Sequence, residues 1–367
     1  MKILIAPDSF KDSLSAKKVA QSLAKGIRKV LPEVKIVVLP LADGGEGTLA
    51  AIKGKYRYIK CMASDPLFRK IETKYLWDAK ASTAYIEMAQ ISGLELLTED
   101  ERNPLKTTTL GTGELIASAL KRKAKKIVLF VGGSATNDGG IGMATALGYV
   151  FVDKDGHTLI PIGENLQHIH AFHYFPEYNL SNTEFVVATD VINPFFGENG
   201  AAHIYAKQKG ANQEQIEYLD KGLEHLNYLL FRTKKNDLQT VAGSGAAGGL
   251  AGGAYAFLDA NVVSAAEEIF AICDLQTKIQ QSDIIISGEG RIDSQTWNGK
   301  LISKLLEATQ NKKVILVGGS VETDLKNRPN IINSYQVKTK EMSLDFAKVN
   351  ASKLLQKIGQ QIGAYLN

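Results

Sequence analysis

The chain has 367 residues, 44% of them hydrophobic and 22% charged, with 43 Lys plus Arg against 39 Asp plus Glu and a formal net charge of +4. This balance is that of a globular protein and excludes disordered, collagenous and coiled-coil chains. The basic surplus is too small and too scattered to point to nucleic acid.

Taken in chain order, the apolar run Ile3–Ala6 predicts a buried strand, and residues 15–31 a helix with Val19, Leu23, Ile27 and Val30 on one face. Lys35–Leu39 predicts a second strand. Residues 66–91 hold two alternating stretches, IETKYLWD and TAYIEMA, joined by AKAS, the pattern of an antiparallel hairpin. Further buried strands are predicted at Ile127–Val131, Phe185–Ala188, Asp283–Ser287 and Val314–Val317. Helical patterns lie near 112–124, 139–147, 213–232, 264–280, 298–309 and 347–364. Continuous apolar strands alternating with helices predict an α/β protein with parallel sheets covered on both faces. The hairpin marks a mixed sheet and hence a second domain. The expected organisation is a discontinuous Rossmann-like domain, residues 1–63 and 285–367, with an α/β domain inserted at 64–284. The strand at 127–131 fits either sheet.

Cys61 and Cys273 lack metal spacing and fit a reducing compartment. The N-terminal apolar run is too short for a signal peptide, and no run of about 18 apolar residues is present. A cytoplasmic protein with no membrane partner is expected. The tract HIHAFH, 168–173, reads as a short amphipathic segment, since no second ligand cluster accompanies it. The basic run at 121–126 reads as a solvated helix end.

The 33 glycines cluster after predicted strands, where open α/β sheets bind ligands. After the first strand, APDSFKDSLSA offers Asp8, Ser9 and Lys11. Asp8 suits Mg²⁺ or a hydroxyl proton, Lys11 a phosphate or carboxylate, and a plain turn with Ser13 or Ser15 as N-cap fits equally. After the second, PLADGGEGT brings Asp43 and Glu46, with glycines that permit positive φ and close backbone approach. The loop VGGSATNDGG places Gly132, Gly133, Ser134 and Thr136 as an anion cradle, with Asn137 and Asp138 for a metal or a substrate hydroxyl. It is neither a Walker A loop nor a dinucleotide fingerprint. ATDVINP carries Asp190 and Asn193, in a site or a solvated turn. In GSGAAGGLAGG, Gly245, Gly248 and Gly249 suit an anion loop or tight packing, and Gly252 and Gly253 suit packing inside a helix. SGEGRIDSQTWNGK crowds Glu289, Arg291, Asp293, Gln295 and Lys300 at one strand–helix junction. A lysine at a helix start opposes the helix dipole unless an anion binds there.

Carboxylates, lysines and glycine-rich loops, with no GxSxG, thiol nucleophile or zinc cluster beside them, suit phosphoryl transfer in a two-domain enzyme. The segments KILIAPDSFKDSLSA, PLADGGEGT, GGSATNDGG, QKGA, GSGAAGGL and SGEGRIDSQTWNGK resemble, in order, those of the bacterial glycerate kinase family. The resemblance runs from residue 1 to about residue 320. It implies ATP-dependent phosphorylation of D-glycerate, to 2-phosphoglycerate. It also implies two α/β domains, one Rossmann- or flavodoxin-like, with the active site in the cleft between them. On that basis Lys11 and Arg291, with Ser9, Asn137 and Asp138, are expected to bind glycerate. Asp190 or Asp293 takes the hydroxyl proton, Asp8 adds a catalytic carboxylate, and Glu289 and Asp43 hold Mg²⁺. The loops at 132–140 and 245–249 hold the phosphates of ATP, and Lys300 neutralises the γ-phosphoryl. A monomer or homodimer is expected. Two departures stand out. TDVINPF has Thr189 for a cysteine and Ile192 for an acidic residue. DPLF has Phe68 for a glycine, so that turn is expected to avoid positive φ. The rival readings are a kinase of a related small hydroxy acid and a non-catalytic sugar-acid sensor. An NAD-dependent dehydrogenase is disfavoured, because PDSFKDS follows the first strand in place of GxGxxG.

Overall fold

The structure, a computed structural model, describes residues 1–297, 301–323, 325, 328 and 330–367. Its strands are β1 (Lys2–Ile5), β2 (Lys35–Val38), β3 (Arg57–Ser64), β4 (Lys70–Asp78), β5 (Thr83–Glu87), β6 (Lys126–Phe130), β7 (Tyr149–Val152), β8 (Ala171–Tyr174), β9 (Glu184–Ala188), β10 (Asn261–Val263), β11 (Ile284–Ile292), β12 (Lys313–Val321) and β13 (Ile331–Gln336). The chain forms two compact units. One comprises Met1–Asp43, Ala50–Gly54 and Ala266–Asn367, the other Gly44–Leu49 and Lys55–Ala265.

The first unit holds a five-stranded sheet in the order β13-β12-β11-β1-β2, and every pairing in it is parallel. Counted within the sheet, the order is 2-1-3-4-5, the flavodoxin-like arrangement. Its ligand crevice lies where the order reverses, at the carboxyl ends of β1 and β11. The central strands begin apolar because both faces are covered: Ile3, Ile5, Ile284, Ile286, Ile315 and Val317 pack with Val19, Leu23 and Ile27 of the helix Ala16–Val30. Ser15 caps that helix, its hydroxyl accepting from the Lys18 N–H at 3.4 Å. The helix lies against the C-terminal helix Leu344–Leu366. A Cβ on Gly26 would stand 2.1 Å from the Gln356 carbonyl oxygen, so the two backbones meet there only through glycine.

The second unit is built on a mixed sheet, β10-β9-β6-β5-β4-β3. β4 and β5 pair antiparallel, with Leu76 opposite Tyr85, as the alternation predicts. β6 runs parallel to β5 and β9, which settles the strand near 127–131 in this sheet. β3 escaped the sequence reading: it is an edge strand, mostly half-buried or exposed, and edge strands carry weak apolar alternation. The hairpin β7–β8 was also missed, and it absorbs part of the HIHAFH tract, with Phe172 and His173 inside β8.

Three further readings are corrected. The helical pattern at 264–280 divides into Ala265–Ile272 and Leu275–Gln280, separated by Asp274 at φ +49°. β11 does not stop at Ser287. It continues to Ile292, because Glu289 and Arg291 lie in register with Gly318 and Ser320 of β12. The crowded polar segment is therefore strand before it is loop. Phe68 sits at φ +65° despite its side chain. The turn is overdetermined: the Asp65 carboxylate accepts from the N–H groups of Leu67 and Arg69, both at 2.9 Å, and the Phe68 N–H donates to the Asp65 carbonyl at 3.0 Å.

Candidate active-site groups

In the first unit the candidate groups gather at the carboxyl ends of β1 and β11. The loop after β1 is laced to β11: the Asp8 N–H donates to the Gly288 carbonyl at 2.8 Å, and the Ser287 hydroxyl to the Ala6 carbonyl at 2.8 Å. Burial, with the Asp43 and Glu289 carboxylates beside it, pushes the Asp8 carboxyl up to about 8. The Ser9 N–H, donating to Asp8 Oδ1 at 2.6 Å, pulls the other way. Three acidic residues far apart in sequence thus share one electrostatic environment at the sheet's switch point. An all-oxygen set of this kind matches a hard divalent cation.

The loop after β11 is organised by Thr296, a buried residue absent from the sequence reading. Its hydroxyl donates to Glu289 Oε1 at 2.6 Å and accepts from the Asp293 N–H at 3.0 Å, tying both acidic residues to one turn. Arg291 points elsewhere. Its guanidinium holds Glu322 through Nε and Nη2 and lies 3.3 Å from Asp293 Oδ2. Lys11 is exposed. Lys300 lies outside the described residues.

In the second unit the candidates again follow parallel strands. Gly132 meets the glycine loop after β2: its N–H donates to the Gly44 carbonyl at 3.0 Å, and a Cβ on it would stand 2.6 Å from the Gly45 Cα. Gly44 itself needs φ +88°. Beside this contact is a carboxylate that the sequence reading missed. Glu87, the last residue of β5, is fully buried and accepts from the N–H groups of Gly47 at 3.1 Å and Leu49 at 2.8 Å. Burial pushes its carboxyl up, and those donors oppose the shift.

The loop after β6 exposes Gly133 and buries Ser134 through Asp138. Asp138 accepts four hydrogen bonds, from Thr109 N–H (2.7 Å), Thr109 Oγ1 (2.8 Å), Gly140 N–H (3.0 Å) and Gly142 N–H (3.2 Å). Burial raises its pKa while these donors favour the carboxylate. Asp138 is thereby an anchor for the following turn and is turned into the protein. Asn137 differs. It is 0% exposed, and neither its Oδ1 nor its Nδ2 has a hydrogen-bond partner; the Thr136 hydroxyl is in the same position. Buried polar groups left unsatisfied are rare and mark a ligand or water position. Behind this loop lies Lys209, from the QKGA segment, whose ammonium donates to Ser134 Oγ and to the Thr136 carbonyl, both at 2.7 Å.

The glycines at 243–253 are explained by close packing. A Cβ on Gly248 would stand 2.0 Å from the Thr136 carbonyl oxygen, one on Gly245 2.1 Å from that of Pro194, and one on Gly249 2.7 Å from the Phe195 ring. The amides of Gly132, Gly245 and Gly249 already donate to the carbonyls of Gly44, Asn193 and Gly245. An anion cradle built on those three amides is therefore not what this geometry offers, because backbone donors are spent within the fold. Gly252 and Gly253 lie inside the helix Leu250–Leu258, against Phe195 and Gly139. After β9, Asp190 Oδ1 accepts from the Ser264 hydroxyl at 2.8 Å, and Asn193 is held by the Tyr205 hydroxyl at 2.6 Å.

Among the described residues no helix is long and apolar enough to cross a membrane. The chain matches the model of the glycerate kinase family over residues 3–367. It is 40% identical over 332 residues to glycerate 2-kinase of Escherichia coli K12, covering 89% of this chain and 87% of that one. It is 36% identical over 369 residues to a glycerate kinase of Halalkalibacterium halodurans, covering 98% and 97%. A Salmonella typhimurium LT2 protein whose crystal structure bears the name glycerate kinase 2 superposes with a TM-score of 0.86 at 38% identity, over 100% of this chain and 98% of that one. Sheet order, loop placement and similarity along nearly the whole length agree: the chain belongs to the glycerate kinase family.

Proposed function

We propose that this protein transfers the γ-phosphoryl group of ATP to a hydroxyl of D-glycerate, giving ADP and 2-phosphoglycerate. The observation that carries the reading is the acidic cluster of Asp8, Asp43 and Glu289 at the flavodoxin-like switch point, in a chain matching the family over residues 3–367. The relative named glycerate 2-kinase supports the choice of the 2-hydroxyl. The two compact units serve as the enzyme's two domains.

Glu289 and Asp43, with Asp8 beside them, would hold Mg²⁺. When bound, the ion supplies charge neutralisation for the phosphate oxygens. In the transfer, the glycerate hydroxyl oxygen attacks the γ-phosphorus, the bond from that phosphorus to the β-bridging oxygen breaks, and the electron pair leaves with ADP. The hydroxyl proton passes to a carboxylate, for which Asp190 and Asp293 are the two candidates. Ser264 orients Asp190, and Thr296 orients the turn that bears Asp293. Lys11 receives the glycerate carboxylate. Arg291, with Ser9, assists once its guanidinium is shared away from Glu322. Asn137 and the Thr136 hydroxyl, buried and unpartnered, meet polar substrate atoms, while the exposed Gly133 turn faces the nucleotide phosphates. The test is an ADP-release assay with D-glycerate, L-glycerate and tartronate, with phosphorus NMR of the product. Turnover of D-glycerate to the 2-phosphate supports the reading, and absence of turnover with D-glycerate overturns it.

A further inference from the structure

Lys209 is the most deeply buried cation among the described residues, with 1% of its surface exposed. It ends the short turn Lys207–Lys209, and the chain then reverses at Gly210, φ +96°, where a Cβ would stand 2.2 Å from the Arg102 carbonyl oxygen. The lysine is thus delivered into the protein by a turn that tolerates no side chain at its next position. Taking an ammonium out of water is costly, and an apolar side chain of similar length would fill the same space without that cost. Its charge has no direct ion pair. Asp138, the acidic group that acts on it, spends its own oxygens on Thr109, Gly140 and Gly142.

What the ammonium does instead is grip one loop. It donates to the Ser134 hydroxyl and to the Thr136 carbonyl, two residues apart, each at 2.7 Å. The span carries the unpartnered Thr136 hydroxyl and is flanked by the exposed Gly133 before it and the unpartnered Asn137 amide after it. We propose that Lys209 is a positioning residue for phosphoryl transfer, fixing the Gly133–Asn137 loop from behind in the geometry that binds nucleotide phosphates and substrate oxygens. The inference rests on the kinase reading above and adds to it a residue that touches no substrate. One further feature accords with it: burial lowers the lysine's pKa to about 7, against the opposing pull of Asp138, a desolvation cost the fold carries to keep an amine at this position.

The test uses Lys209→Met, Ser134→Ala and the double variant in the full chain. A loop misplaced by about 1 Å costs on the order of 100-fold in rate. Lys209→Met should therefore lower kcat/KM by about 100-fold for ATP and, because Thr136 and Asn137 lie on the same loop, for D-glycerate as well. Its thermal midpoint should fall only modestly, because relief of the buried charge offsets the two acceptors left on Ser134 and Thr136, so a folded variant can be assayed. Ser134→Ala should cost about 10-fold alone and almost nothing when added to Lys209→Met, the non-additivity of two groups acting as one. Wild-type kinetics in a folded Lys209→Met, or full additivity in the double variant, overturns the proposal. Should Lys209→Met not fold, Ser134→Ala decides: an unchanged KM for ATP and kcat there sinks it. A wild-type protein without turnover on glycerate would sink the kinase reading itself, an outcome these ratios cannot be confused with.

Discussion

The carboxyl ends of the parallel strands carry acidic residues in both units, and the two sets are treated in opposite ways. In the first, burial and then the nearby Asp43 and Glu289 carboxylates push the Asp8 carboxyl up to about 8. In the second, Asp138 and Glu87 are fully buried, each met by several N–H donors. A carboxylate buried beside like charges raises the energy of the folded chain, a feature that clusters at functional sites. A carboxylate ringed by donors lowers it and holds a loop in place. Position at a strand end does not separate a ligand-binding carboxylate from an anchoring one. The company it keeps does.

The comparison can be broken most sharply at Asp8. Asp8→Asn should lower kcat/KM about 1,000-fold, on the scale of losing a group engaged in the transition state, as read by ADP release. The same variant should be more stable than the wild type at alkaline pH. The sign follows from the raised pKa: between the ordinary aspartate value near 3.8 and about 8 the folded state keeps a proton that the unfolded state has lost. Stability therefore falls as pH rises through that interval and levels off above it. Thermal midpoints from pH 4 to 9 should show this slope in the wild type and a shallower one in Asp8→Asn. A variant less stable at pH 9 than the wild type would overturn the reading of Asp8 as a carboxylate that burial and its acidic neighbours make costly to ionise.

Asp138→Ala should behave in the reverse manner. It leaves four donors without an acceptor in the core and should cost about 3–5 kcal/mol in urea unfolding. A loss under 1 kcal/mol would place Asp138 with the binding group. Gly248→Ala sharpens the packing account of the glycine-rich segment. With φ +67° and the Thr136 carbonyl in the way, it should destabilise by about 1–3 kcal/mol, and an unchanged midpoint would return that segment to ligand binding. The smallest effect is expected at Phe68. The residue is 39% exposed, so Phe68→Gly should range from neutral to about 1 kcal/mol stabilising by relieving the left-handed backbone. A clear loss would mean that the ring's contacts outweigh the strain.

Much of this was legible in the residues. The apolar strands β1, β6, β9 and β11 and the helices Ala16–Val30 and Gln213–Lys234 are continuous local patterns, and such patterns survive because packing on both faces demands them. Position just after a predicted strand flagged Asp8, Asp43, Glu289 and Asp138 alike. What separates these residues was not legible. Glu87 ends an ordinary alternating strand, Thr296 is one hydroxyl in a polar loop, and Lys209 stands in a basic turn between other lysines and glutamines. The QKGA tetrapeptide was the one local signal for Lys209, and it carried no role.

By itself the sequence determined the α/β class, the strand-end placement of the polar loops and the family, since each is written in contiguous residues whose period or order is set by local backbone geometry. The tertiary structure alone decided that β11 runs on through Glu289 and Arg291, that Arg291 is held by Glu322, that Phe68 takes a left-handed turn, and that Lys209 grips Ser134 and Thr136. Each of these depends on a partner remote in the chain or on a turn held by its own hydrogen bonds, and the energy of a charge or a strained dihedral is set by what surrounds it in space.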